Sequence, residues 1–172
     1  MTDAPTHRVE REGTVATVTL DRPDALNAQT RASRRALVRD LRALSGDADV
    51  RCVVLTGDGR AFCAGQDLRE PGALENVDEM IRETYIPIIE ALVDMPKPVV
   101  AALNGAAAGA GLSIALACDL RYMAEDAVLM MAFSNIALVP DCGGSWLLPR
   151  TVGYARAFEL AATGRISIAT TS

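Results

Sequence analysis

Val99-Val100-Ala101-Ala102-Leu103-Asn104-Gly105-Ala106-Ala107-Ala108-Gly109-Ala110-Gly111-Leu112-Ser113-Ile114-Ala115-Leu116-Ala117-Cys118 carries no charged residue. An uncharged run of about 20 residues has the length of a membrane span, and Gly105 and Gly109 have the GxxxG spacing that lets helices pack closely in lipid. Two features argue against a span. Asn104-Gly105 is a turn signal, and much of the run is weakly hydrophobic Ala and Gly. It reads instead as a strand from Val99 to Leu103, a glycine-rich turn, and a helix near Gly111 to Ala117.

The flanks follow the same strand-then-helix order. His7 to Glu12 and Val15 to Leu20 read as strands around Gly13, and Arg22-Pro23-Asp24 stops the second. Thr30 to Leu44 has apolar residues at helical spacing, with Arg34, Arg35, Arg39 and Arg42 read as a solvated face. Arg51 to Thr56 reads as a buried strand, Val77 to Val93 as a helix and Asp119 to Ala124 as a further strand. The class is α/β, in one domain over residues 1–172 with no linker. Glu70 to Glu75, with Pro71-Gly72, is the expected mobile loop.

Composition narrows the chemistry. Half of the residues are hydrophobic, only 4% are aromatic, and the net charge is -5 with scattered basic residues. A nucleic-acid partner is therefore not expected, and neither is a membrane one. The only histidine, His7, lies near a polar N-terminus, which argues against a histidine-dependent triad or a histidine-ligated metal site. Cys52, Cys63, Cys118 and Cys142 form no CxxC pair and read as reduced thiols of a cytoplasmic protein. Cys142 reads as packed rather than nucleophilic, because no base adjoins it in sequence. Met1 to Pro5 does not look like a secretory signal.

Asp141 is the only carboxylate between Asp126 and Arg150, in Leu138-Val139-Pro140-Asp141-Cys142-Gly143-Gly144-Ser145-Trp146. Two readings compete. An Asp after Pro and before Gly-Gly is a good turn or helix N-cap residue, the reading the residues alone favour. A lone acid in apolar company is also a candidate general base, because desolvation raises its pKa.

Two glycine-containing turns, Ala61 to Leu68 and Asn104 to Gly111, match neither GxGxxG nor a Walker loop. Small residues there let backbone N–H groups approach a ligand, and two such groups on one carbonyl would form an oxyanion hole. Arg22-Pro23 with Ala25-Leu26-Asn27-Ala28, Phe62-Cys63-Ala64-Gly65-Gln66-Asp67-Leu68, Lys97-Pro98-Val99 with Asn104-Gly105, and Pro140 with Gly143-Gly144 occur in family order. From about Val9 to Arg165 the chain resembles the crotonase, or enoyl-CoA hydratase/isomerase, superfamily.

That resemblance implies a crotonase-like spiral of ββα units that binds an acyl-CoA thioester and stabilises its enolate. The oxyanion donors fall on the N–H groups of Gln66 and Ala110. Coenzyme A contacts fall on Ala25, Leu26, Ala64, Gln66, Asp67 and Leu68. Asp24 stands where some relatives carry Lys. No metal or separate cofactor is implied, since coenzyme A arrives as the substrate thioester. The two glutamates that hydratases use align with Ser113 and Phe133, which disfavours hydration.

Asp141 falls where isomerase branches carry an acid, and the resemblance makes it the expected base. Phrases such as Met131-Ala132-Phe133-Ser134 and Val139 to Arg150 look like the branch that isomerises ring-epoxidised phenylacetyl-CoA. A Δ3,Δ2-enoyl-CoA isomerase, a weak hydratase, and a non-catalytic acyl-CoA binder or assembly subunit are the alternatives. Phe133, Trp146 and the Pro71-Gly72 loop are expected pocket walls. Family members continue past Thr163 to Ile168 into helices that close the acyl site and build trimers or hexamers. The expectation is a chain without that C-terminal region, forming a homo-oligomer.

Overall fold

The computed structural model describes residues 6–73 and 75–168, and buried and half-buried side chains alternate along its third strand, Cys52–Gly57. The strands are β1 (His7–Glu12), β2 (Val15–Leu20), β3 (Cys52–Gly57), β4 (Ala61–Cys63), β5 (Val99–Leu103), β6 (Ala106–Ala108), β7 (Leu120–Met123), β8 (Val128–Met130) and β9 (Ile166–Ile168). One sheet has the order β1-β2-β3-β5-β7, parallel except for the β1/β2 hairpin. The other has the order β4-β6-β8-β9, parallel except at β9.

The two sheets alternate along the chain. β3 hands over to β4, β5 to β6 and β7 to β8, and each pair leads into helical structure. These are ββα turns of a spiral. The 99–118 run is thus β5, a turn, β6 and a helix. Among the described residues no helix is long and apolar enough to cross a membrane.

The helices are α1 (Arg31–Gly46), α2 (Val77–Met80), α3 (Ile86–Val93), α4 (Ala110–Leu116), α5 (Gly144–Val152) and α6 (Tyr154–Thr163). Thr30 starts α1 through a capping box, its hydroxyl accepting from the Ser33 N–H while Ser33 accepts from the Thr30 N–H. Lys97 closes the other end, donating to the carbonyls of Leu44 and Asp47 at 2.7 and 2.8 Å. A π-helical turn, Ile81–Tyr85, joins α2 to α3. The helix expected from Val77 to Val93 is therefore helical throughout, with one wider turn inside it.

The core gathers Val18, Leu20, Val53, Leu55, Val99 and Ala101 from the sheet with Leu37, Leu41 and Ile88 from the helices. Arg34 lies among them with no exposed surface. The reading of four arginines as a solvated face is corrected: Arg35, Arg39 and Arg42 are exposed, and Arg34 is not. Helical geometry explains the split. Arg34 stands three and four residues before Leu37 and Val38, whereas Arg35, Arg39 and Arg42 share another face. Within the expected mobile loop, Leu74 lies outside the described residues.

Candidate active site

Two asparagines anchor the turn that carries the first glycine-containing segment. The buried Asn27 amide donates to the carbonyls of Asp58 and Ala61 at 2.9 and 2.7 Å. Asn104 donates to Gly59 and accepts from the Gly57 N–H. These contacts hold the β3–β4 connection, so that the chain leaves β4 along a fixed course into Ala64, Gly65 and Gln66.

Gln66 then forms one parallel bridge with Gln29. Gln29 donates to the Gly65 carbonyl at 2.7 Å, and Asp67 donates to the Gln29 carbonyl at 3.1 Å. In a parallel bridge of this kind the middle residue, Gln66, directs its own N–H away from the partner. Among the described residues that N–H has no backbone acceptor in the turn. Ala110 opens α4, so its N–H has no carbonyl one turn back within the helix.

Glycine backbones bring the two donors together. Gly65 has φ +92, and a Cβ there would lie 2.9 Å from the Ala108 carbonyl oxygen and 3.2 Å from the Ala110 nitrogen. Gly109 has φ +52, which turns the chain from β6 into α4. At Gly111 a Cβ would fall 2.1 Å from the Cys63 carbonyl oxygen, so a glycine lets α4 sit directly on β4.

Gln66 and Ala110 line one cavity of about 200 Å³ together with Asp141. Its other walls are mainly apolar, with Val77, Met80, Ile81, Tyr85, Phe133 and Leu138 among them. Among the described lining residues Asp141 is the only carboxylate. Its Oδ1 is buried with no hydrogen-bond partner, and burial holds the carboxyl above its usual range against a weaker hydrogen bond from Cys142.

The capping reading of Asp141 does not hold. Helix α5 starts behind Gly143, at φ +77, and no side chain caps it. The Gly144 N–H at 2.7 Å and the Ser113 hydroxyl at 3.2 Å engage the Asp141 carbonyl, not its side chain. Phe133 lines the cavity, while the hydroxyl of the buried Ser113 is committed to that carbonyl. Cys142 is buried, and its thiol is pushed far up by burial and by the Asp141 charge, which fits packing rather than nucleophilic use.

The expected coenzyme A residues divide. Ala64, Gln66 and Leu68 line the cavity, and Leu68 is exposed. Ala25 and Leu26 do not line it, although the Leu26 carbonyl accepts from the Ala64 N–H at 2.9 Å. The Asp67 carboxylate already pairs with Arg22 at 2.9 Å and Arg69 at 3.2 Å. Burial raises its pKa, but those two arginines and the Arg69 N–H outweigh burial and bring it down to about 2.

One expected wall is corrected. Trp146 is 61% exposed, stacked under the Arg150 guanidinium rather than facing the cavity. The Pro71-Gly72 loop does reach the cavity, through Ala73, while Pro71 and Gly72 themselves are exposed. Tyr85 and Asn135 also line it, and the residues alone did not mark them. Both stand in helical segments whose turn geometry departs from the regular α repeat. Among the described residues no cluster of three His, Cys, Asp or Glu side chains could hold a metal ion.

Comparison with known proteins adds the context. The family model described as enoyl-CoA hydratase/isomerase matches residues 10–170. A Rhodobacter capsulatus protein named "Probable enoyl-CoA hydratase" is 49% identical over 158 residues, covering 91% of this chain and 60% of that protein. The 1,2-epoxyphenylacetyl-CoA isomerase of Escherichia coli is 44% identical over 155 residues, covering 87% and 59%. An enoyl-CoA hydratase structure from Bacillus anthracis superposes with a TM-score of 0.88 at 37% identity, over 95% of this chain and 65% of that one. A monofunctional enoyl CoA isomerase from M. smegmatis gives 0.82 at 37% identity, over 96% and 71%. The chain spans about 60% of the length of the curated relatives it matches.

Proposed function

The chain belongs to the enoyl-CoA hydratase/isomerase family, and from that premise we propose that it isomerises an acyl-CoA thioester through an enolate, with Asp141 as the base. The observation that carries this reading is a buried, unpartnered carboxylate oxygen in a cavity that Gln66 and Ala110 also line. The thioester oxygen sits between those two donors. Asp141 takes a proton from the acyl carbon next to the thioester, the electron pair moves onto the oxygen, and the proton returns elsewhere on the acyl chain.

Desolvation serves both halves of this step. A carboxylate held above its usual pKa is a stronger proton acceptor, and backbone donors in an apolar cavity stabilise the developing oxyanion more than water does. Hydration needs a second acid or base to activate water. Phe133 and Ser113 stand at the positions the resemblance gives to that pair, and neither supplies one.

Ring-epoxidised phenylacetyl-CoA is the proposed substrate, on the strength of the 44% identity to the E. coli isomerase and the apolar walls of the cavity. Ala25, Leu26, Ala64, Gln66, Asp67 and Leu68 are proposed to receive the coenzyme A portion, largely through backbone atoms. A Δ3,Δ2-enoyl-CoA isomerase is the second reading, favoured by the structural likeness to the M. smegmatis enoyl CoA isomerase.

Assays of the chain with the epoxide thioester, a 3-enoyl-CoA and a 2-enoyl-CoA test the proposal. Turnover of the first is expected, and turnover of the second alone selects the second reading. Fast hydration of the third, or tight thioester binding with no turnover at all, overturns isomerisation.

A further inference from the structure

Arg34 is fully buried beside the cavity and has no carboxylate within 4 Å among the described residues. Buried cations are costly unless paired, so this one requires an explanation. Its guanidinium is held entirely by neutral groups. Nε donates to the Thr84 hydroxyl at 2.7 Å, and Nη1 donates to the Gln29 carbonyl at 2.9 Å and to Gln66 Oε1. Nη1 also lies 3.4 Å from the Tyr85 hydroxyl, and the guanidinium carbon is 4.5 Å from the centre of that ring.

The partners are themselves committed. Thr84 spends its proton on the Met80 carbonyl at 2.7 Å, which leaves its oxygen free to accept from Arg34. Tyr85 donates to Gln66 Oε1 at 3.0 Å. The π-helical turn makes this possible, since both Thr84 and Tyr85 face the interior from it. Gln66 Oε1 therefore receives two donors, while the same residue's N–H points away from Gln29.

We propose that Arg34 is a positioning residue for the Gln66 donor, and that its uncompensated charge makes the cavity select the anionic form of a bound acyl thioester. This rests on the enolate reading above. The charge bookkeeping supports it. Before proton transfer the negative charge is on Asp141, and afterwards it is on the thioester oxygen, next to the residue that Arg34 holds. Moving the anion towards a fixed cation favours the enolate over the starting complex, which is the differential binding that catalysis needs. Both charges act on the Cys142 thiol, Asp141 raising its pKa and Arg34 lowering it, so Arg34 is electrostatically present in this part of the interior.

Acetoacetyl-CoA provides the probe, because its enolate absorbs in the near ultraviolet where its keto form does not. The full chain is expected to enrich the bound enolate over free solution at the same pH. Arg34→Gln should lower the bound enolate-to-keto ratio roughly tenfold, equivalent to about one pKa unit. Affinity for coenzyme A itself should change by less than the enolate ratio does, since coenzyme A carries no enolate charge for Arg34 to favour.

Tyr85→Phe keeps the ring and removes one of the two donors to Gln66, so a loss of about threefold is expected. It carries the test alone if Arg34→Gln does not fold. Enrichment by the parent chain that survives in the folded variants overturns the inference and leaves the enolate reading standing. No enrichment by the parent chain overturns both.

Discussion

Gly65→Ala is the substitution that most sharply tests whether the two turns act as one site. The new methyl would point at the opposite turn, 2.9 Å from the Ala108 oxygen and 3.2 Å from the Ala110 nitrogen, both backbone atoms. A side chain at positive φ costs about 1–2 kcal/mol, and forcing an extra methyl into a packed site adds about 1–3 kcal/mol. The expected loss is about 2–5 kcal/mol in urea unfolding. Gly109→Ala supplies the comparison, because it also has positive φ but nothing lies within 4 Å of its Cβ. That variant should lose only the conformational cost, about 1–2 kcal/mol. The gap between the two measures the wedge. In the isomerase assay Gly65→Ala should lower kcat about 100-fold, the loss of roughly one oxyanion donor, with a smaller change in KM. Equal stability losses, or wild-type kcat in Gly65→Ala, would refute the apposition of the two donors.

Three further outcomes follow from the same geometry. Because burial raises the Asp141 pKa in the folded state, ionisation costs stability as pH rises from its unfolded value of about 3.9 through the folded one. Asp141→Asn should therefore be more stable than the parent at pH 7, with the difference vanishing in acid, as read by thermal melting. Asp67 has the opposite sign: its pairing is worth most above about pH 4 and is lost as pH falls towards 2. Asp67→Asn should cost about 1–2 kcal/mol at pH 7, allowing for the exposure of Arg69, and progressively less in acid. Trp146→Ala should leave turnover within about twofold, because that ring packs under Arg150 outside the cavity. A large change in KM there would restore Trp146 as a pocket wall.

Long elements with a clear period were legible in the chain. β1, β2 and β5 fall on the expected residues, and α1 begins at the residue after its expected start. The strands β4, β6 and β8 have three residues each, too few to show alternation, so the second sheet could not be read from pattern. Arg34 was legible in principle, since its spacing to Leu37, Val38 and Leu41 places it on the apolar face. Its charge pulled the reading towards the surface. Tyr85 was hidden for another reason, because a π-helical turn breaks the repeat by which an inward face is counted.

Asp141 shows how far a single residue can be taken. Isolation in apolar sequence marked it, but whether its oxygen caps a helix depends on the φ of Gly143 and the start of α5, which local sequence does not specify. The same holds for Gln66 and Ala110. Glycines in two turns suggest backbone donors, yet only the close approach of Gly65 to the second turn puts Gln66 and Ala110 on one cavity.

Asp141 is proposed to move the proton rather than to bind the thioester. Its most direct test is Asp141→Asn, with single-turnover isomerisation and thioester affinity measured on the same preparation. Turnover should fall by about 100-fold or more, with affinity within about threefold of the parent chain. Undiminished turnover by a folded Asp141→Asn chain would contradict that role.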